Sequence, residues 1–307
     1  IGEETDNYAQ GYFQYDSKKS GAVTVSHLRF GPKPIRAPYL IAENEANFLA
    51  CHQFSFLEKF DMLKYARPKG IFLLNSIYGP DEIWENLPAK VQEALIKKDL
   101  QFYIIDAYEV ANKTKMGQRI NTIMQTCFFA ISGILPKEQA IDEIKKSIKK
   151  TYGKRGDAVV KQNFAAVDTA LEHMFKVEIP DKVTSTIQMQ PPVPADAPEY
   201  VREVLGKIID RRGDDVLVSE MPVDGSFPTA TTQWEKRNVA LEIPVWDPDL
   251  CIQCGKCAFV CPHATIRTKV YQDSYLENAP ETFKHINAKF REFREGWSFT
   301  VQIAPED

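Results

Sequence analysis

Apolar positions in the first half of the chain fall into short, dense runs, with helical spacing between them. Ala22-Val23-Thr24-Val25-Ser26-His27-Leu28 alternates and is β-branched, which predicts a half-buried strand. Tyr39-Leu40-Ile41 and Asn47-Phe48-Leu49-Ala50-Cys51 predict two short buried strands. Gly70-Ile71-Phe72-Leu73-Leu74-Asn75 is apolar without alternation, the pattern of a strand covered on both faces. Leu100-Gln101-Phe102-Tyr103-Ile104-Ile105-Asp106 predicts the next strand, and Pro88 opens a helix between the two that runs to about Lys98. Strand, helix, strand with a crossover of this length is a βαβ unit, so the two strands are parallel. Phe54, Leu57, Phe60 and Leu63 predict a helix before the first of them. Three helices follow the second. Gly117–Ser132 is rich in apolar residues, and Val159–Phe175 is the last. Pro136–Lys150, between them, has Pro in its first turn and Lys145, Lys146, Lys149 and Lys150 where the helix dipole favours cations.

The pattern then changes. Seven of the 19 Pro lie between Pro180 and Pro228, including Pro191-Pro192-Val193-Pro194. Such a run forms neither helix interior nor central strand and reads as a linker or extended wrap, interrupted by a helix near Tyr200–Asp210. The expected organisation is an α/β domain over 1–188, a Pro-rich linking domain over 189–230 and a third region over 231–307. No internal repeat is visible.

Composition narrows the class. With 44% hydrophobic and 26% charged residues, the chain is neither disordered nor low in complexity. A net charge of −4 provides no basic field for nucleic acid or an anionic membrane. The longest apolar-rich stretch, Ile120–Leu135, is too short and too polar to span a bilayer. The chain opens at Ile1 without a charged, then apolar, leader, and we expect a piece of a longer polypeptide. Four of the six Cys crowd into one short segment, unlike a secreted disulfide framework, so a reducing, cytoplasmic setting is expected.

That segment is the strongest chemical signal. Cys251-Ile252-Gln253-Cys254-Gly255-Lys256-Cys257-Ala258-Phe259-Val260-Cys261-Pro262 is C-x2-C-x2-C-x3-C-P, the run of bacterial-type ferredoxins. Three thiolates three residues apart suit one [4Fe–4S] cluster, and the fourth suits a neighbouring cluster. Gly255 lets the backbone approach, so that amides can point at sulfur. A zinc knuckle is the competing reading, but it would pair separated C-x2-C hooks or add a spaced His, and His263 directly follows Pro262. No Cys follows Cys261, so this chain alone completes neither cluster. Cys51 and Cys127 sit in apolar settings and read as core residues.

Other candidates are weaker. Ser17-Lys18-Lys19-Ser20 is a basic, hydroxyl-flanked loop that suits a phosphate, although paired lysines in a turn are more often only solvated. His27 and Arg29 on the first predicted strand could face a cleft, but a histidine there is more often packed or hydrogen-bonded.

Several stretches together resemble a known family. They are Ile1–Phe13, Tyr15–Gly21, Thr24–Ile35, Cys51–Phe60 and Gly117–Cys127, followed by the cysteine run. They are similar to the pyruvate:ferredoxin (flavodoxin) oxidoreductases, over essentially the whole chain. The resemblance implies the middle of such an enzyme: a γ-type α/β domain, a small linking domain and the first half of an α+β ferredoxin-like domain. It implies a homodimeric parent that cleaves pyruvate with coenzyme A to acetyl-CoA and CO2 and passes electrons to ferredoxin or flavodoxin. It also implies two [4Fe–4S] clusters in the complete ferredoxin-like domain and a third elsewhere. Thiamine diphosphate and Mg2+ would be held by the rest of the parent polypeptide. Ser17, Lys18, Lys19 and Ser20 match the basic loop of the γ-type domain, on the coenzyme A side. Two readings compete: an electron-transfer module of some other iron–sulfur oxidoreductase, using only the cysteine run, and a segment serving chiefly a subunit interface.

Overall fold

The computed structural model describes residues 5–15, 23–235, 243–293 and 295–304. The chain divides into two compact units, one chiefly Thr24–Thr229 and the other chiefly Ala230–Asp307.

The first unit opens with an antiparallel hairpin of β1 (Tyr8–Gln14) and β2 (Val25–Gly31). β2 lies at the predicted strand, displaced three residues along the chain. β1 has no counterpart in the sequence prediction, because its Gln and Gly residues hide the alternation. The expected strand at Tyr39–Ile41 does not form. Tyr39 and Leu40 are exposed there, and the segment instead closes on β2. The amide of Ile41 donates to His27 Nδ1 at 3.1 Å, and Arg29 donates to the carbonyls of Pro38 and Leu40.

The centre is a four-stranded sheet in the order β3 (Ala46–Cys51), β4 (Ala66–Asn75), β5 (Gln101–Ile105), β6 (Phe175–Val177). β3, β4 and β5 are parallel, and β6 is antiparallel to β5. α1 (Ile83–Asn86) and α2 (Ala89–Lys97) fill the β4–β5 crossover, as the βαβ reading requires. Strand alternation sends Phe72, Leu74, Phe102 and Ile104 to one face, with Trp84, Val91 and Leu95 of α1 and α2. Leu73 and Ile105 point to the other face. There they meet α3 (Ala107–Lys113), α4 (Asn121–Ile131) and α6 (Asp157–Glu172) through Val110, Ile123, Cys127 and Ala166. α5 (Lys137–Tyr152) lays Ile144 and Ile148 against Val160 and Val167 of α6. Phe72 and Phe102 are register partners, and their rings stack at 5.5 Å.

The helix expected over Phe54–Leu63 is two 3-10 turns, Phe54–Glu58 and Met62–Tyr65. Its apolar residues repeat at strict intervals of three, which is the period of a 3-10 turn and not of an α-helix. Lys98, just past α2, donates through Nζ to the carbonyls of Leu63, Lys64 and Ala66, which caps the second turn.

The Pro-rich segment wraps this unit. Gln92 of α2 is fully buried, and its Oε1 accepts from the amides of Thr184 at 2.9 Å and Ser185 at 3.0 Å. The Gln190 amide donates to the Glu58 carbonyl, and Val193, Ala197, Val201 and Val204 are buried. The helix expected near Tyr200–Asp210 forms as a π turn, Val201–Leu205, continued by α7 (Gly206–Ile209).

The second unit holds α8 (Lys256–Val260) and an antiparallel sheet in the order β7 (Ile266–Gln272), β9 (Trp297–Ile303), β8 (Ile286–Asn287). Phe299 and Val301 are buried, with Trp246 and Phe290 against Phe299. Among the described residues, no helix is long and apolar enough to cross a membrane.

Candidate cluster-binding site

The four cysteines of the run stand on one loop, one short helix and the turn after it. The loop begins where the Cys251 amide donates to the Pro248 carbonyl. Two residues then take left-handed backbone, Gln253 at φ 58° and Gly255 at φ 69°. A glycine adopts this conformation freely, whereas Gln253 needs support from its surroundings. Left-handed Gly255 starts α8, which carries Cys257, and Cys261 closes it in extended backbone before Pro262. Cys254 and Cys257 are exposed, and Cys251 and Cys261 are half-buried.

Two of the sulfurs are already organised. The Gln253 amide donates to Cys251 Sγ at 3.4 Å, an N–H···S contact of the kind that disperses charge on a thiolate ligand. Cys261 Sγ lies 3.3 Å from Thr265 Oγ1. That hydroxyl, with the amides of Ile266 and His263, lowers the Cys261 thiol to about 6, so this sulfur is thiolate at neutral pH. Metal ligation requires thiolate. Among the described residues no three Cys, His, Asp or Glu converge as ligands of one metal ion would. A [4Fe–4S] cube does not ask this of its ligands, since each thiolate takes a different iron. Soft thiols at this spacing, with an amide and a hydroxyl beside two of the sulfurs, fit three corners of one such cluster and one corner of a neighbour.

The remaining candidates separate clearly. Ser17, Lys18, Lys19 and Ser20 lie outside the described residues. Cys51 and Cys127 are buried, and desolvation pushes both thiols up to about 12, which leaves them unreactive. His27 is a hydrogen-bonded strut. Its Nε2 lies 3.0 Å from Gln14 Oε1, its Nδ1 accepts from Ile41, and burial followed by the Arg29 charge lowers its pKa. Arg29 is held by carbonyls and lies 3.6 Å from Glu45. Two contributors to the site escaped the sequence reading. Thr265 carries a weak signal, a hydroxyl four residues after Cys261, and Gln253 carries none.

Comparison with known proteins adds three regions of similarity. The family described as pyruvate ferredoxin/flavodoxin oxidoreductase matches residues 2–173. A domain of unknown function matches 186–240, and a 4Fe-4S binding domain matches 243–266. Whole-chain relatives include a pyruvate-flavodoxin oxidoreductase of a Nostoc species, 55% identical over 100% of this chain and 26% of the relative. Another is a pyruvate-flavodoxin oxidoreductase of Rhodospirillum rubrum, 49% identical over 100% of this chain and 26% of the relative. A pyruvate:ferredoxin oxidoreductase of Moorella thermoacetica is 45% identical over the same shares, 100% and 26%. The chain therefore spans about a quarter of the length of the curated relatives it matches.

Proposed function

This chain belongs to the pyruvate ferredoxin/flavodoxin oxidoreductase family, and we propose that it is the middle part of an enzyme that oxidises pyruvate. In that reaction pyruvate and coenzyme A give acetyl-CoA, CO2, one proton and two electrons. Cys251, Cys254 and Cys257 hold one [4Fe–4S] cluster, and Cys261 contributes to its neighbour. Such a cluster supplies one-electron transfer when bound. The chain's own part is to present thiolates and to set their charge. The Gln253 amide and the Thr265 hydroxyl, already bonded to Cys251 and Cys261, do the second.

Ser17, Lys18, Lys19 and Ser20 are the proposed contacts for the phosphates of coenzyme A, since ammonium groups make charge-assisted bonds to such oxygens. Thiamine diphosphate and Mg2+ belong to other parts of a homodimeric parent, and the acceptor is ferredoxin or flavodoxin. Reduced, cluster-forming thiols suit a cytoplasmic setting.

The observation that carries this reading is the pairing, on one chain, of the C-x2-C-x2-C-x3-C-P run with the 172 residues of the oxidoreductase match at 2–173. A generic electron-transfer module would account for the first and not the second. The test is Cys254→Ala in the full-length enzyme. Loss of one low-potential EPR signal, with iron content lower by one cluster, is expected. An unchanged spectrum at full iron content would remove the assignment.

A further inference from the structure

We propose that Gln253 is a positioning residue for the Cys251 ligand, locking the cluster-binding loop onto the edge of the second unit's sheet and so raising the cluster's potential. The inference rests on the iron–sulfur reading above.

Gln253 is the residue of the cysteine run whose surroundings least resemble those of its neighbours. It is 4% exposed, while Ile252 before it is 77% exposed. A polar side chain is buried at little cost only when each of its polar atoms is bonded, and both of these are. Nε2 donates to the Asn287 carbonyl at 2.7 Å, and Oε1 accepts from the Lys289 amide at 2.8 Å. The two partners fix the amide's orientation, because a carbonyl can only accept and an N–H can only donate.

Those partners have a structural meaning. β8 pairs with β9 along one edge only, and Asn287 is its last residue. A residue in a parallel neighbouring strand would bond the carbonyl of one residue and the amide of the residue two further on. The Gln253 side chain engages that same pair. It stands in for a missing strand, and it joins the loop to the sheet across more than thirty positions of sequence.

The consequence is felt at the sulfur. At φ 58° Gln253 holds a conformation that non-glycine residues disfavour. In that conformation its own amide meets Cys251 Sγ at 3.4 Å. The side-chain bonds therefore support the backbone geometry, and the backbone delivers the N–H to the thiolate. A donor on a ligand sulfur favours the more negative, reduced cluster and raises its potential.

The test uses the full-length enzyme. Cys251→Ala identifies the EPR signal of the cluster that this loop serves; if every signal survives, the iron–sulfur reading falls and this proposal with it. Gln253→Met then keeps the side chain's bulk and removes both bonds. We expect the midpoint of that signal to fall, with the reduction equilibrium shifted roughly threefold, about 30 mV at 59 mV per tenfold, and other signals unmoved. Hydrogen exchange at the Lys289 amide should quicken in parallel. If Gln253→Met does not accumulate as folded enzyme, Gln253→Asn reads the same two quantities, since Asn tolerates left-handed backbone but is one methylene too short to bridge. An unshifted midpoint in the variant that folds, with the Cys251-dependent signal present, overturns the positioning role even if exchange at Lys289 changes.

Discussion

The same residue type meets opposite fates in the two units. In the α/β unit, Cys51 and Cys127 are sealed into the two faces of the sheet's packing, and desolvation raises both thiols to about 12. In the second unit, Cys261 meets a hydroxyl and two amides, and its thiol falls to about 6. Where desolvation outweighs the hydrogen bonds, a thiol stays protonated and inert; where the hydrogen bonds outweigh desolvation, it becomes a thiolate. The units differ in the same way as wholes. The first closes a core around Phe72, Leu74, Phe102 and Ile104. The second leaves Leu250, Ile252, Phe259 and Val260 between 71% and 90% exposed around its cysteines. There, hydrogen bonds organise a loop where apolar packing does not.

The largest test of this contrast exchanges like for like. Phe72→Ala removes a fully buried ring stacked on Phe102 and should cost about 3–5 kcal/mol, whereas Phe259→Ala, in the second unit, should stay within about 0.5 kcal/mol. Denaturant unfolding of the 307-residue chain, followed by far-UV circular dichroism, reads both. Equal losses would mean that Phe259 is packed against apolar neighbours and not exposed beside the cysteines. A smaller effect sits where each unit uses a buried glutamine to tie down a segment. Gln92→Leu removes the acceptor for the Thr184 and Ser185 amides and should cost about 1–3 kcal/mol. Limited proteolysis should then cut the Pro-rich wrap near Thr184 sooner than in the parent chain. An unchanged cleavage rate would show that the wrap is held without Gln92, by its buried Val and Ala residues and the Gln190–Glu58 bond.

The sheet was legible because strands covered on both faces have no alternative to dense apolar runs, and Gly70–Asn75 and Leu100–Ile105 read without ambiguity. Elements supported by single polar contacts were not. α3 went unseen, although Asp106 caps it by accepting from the Glu109 amide at 2.8 Å, and the signal was there as Asp followed by Glu three residues on. The apolar run before it instead draws Asp106 into the end of the predicted strand. β6 is three residues long with Phe175 and Lys176 exposed, so no periodicity marks it. At the candidate site, the cysteine run stands out by its spacing, which is the spacing of a ferredoxin-type ligand run. Gln253 does not, because its partners, Asn287 and Lys289, are brought to it only by the fold.

The contrast between the cysteines sharpens into a pH profile. In the iron-free chain, alkylation of Cys261 by iodoacetamide should follow its thiolate, which appears as pH rises through about 6. The rate should therefore be half-maximal near that pH and nearly flat by pH 8, well below the ordinary thiol value of about 8.5. Cys51 and Cys127, held near 12, should remain unlabelled across that range until the chain is unfolded. Peptide mapping by mass spectrometry resolves the three sites. The cause can be separated from the position with Thr265→Val, which removes the hydroxyl that contributes most to the shift while leaving the amides of Ile266 and His263 in place. The midpoint should then climb toward the ordinary value without reaching it. A midpoint that stays near 6 would assign the shift to the backbone of the turn, and a wild-type midpoint near 8.5 would mean that the hydroxyl and amides do not stabilise this thiolate.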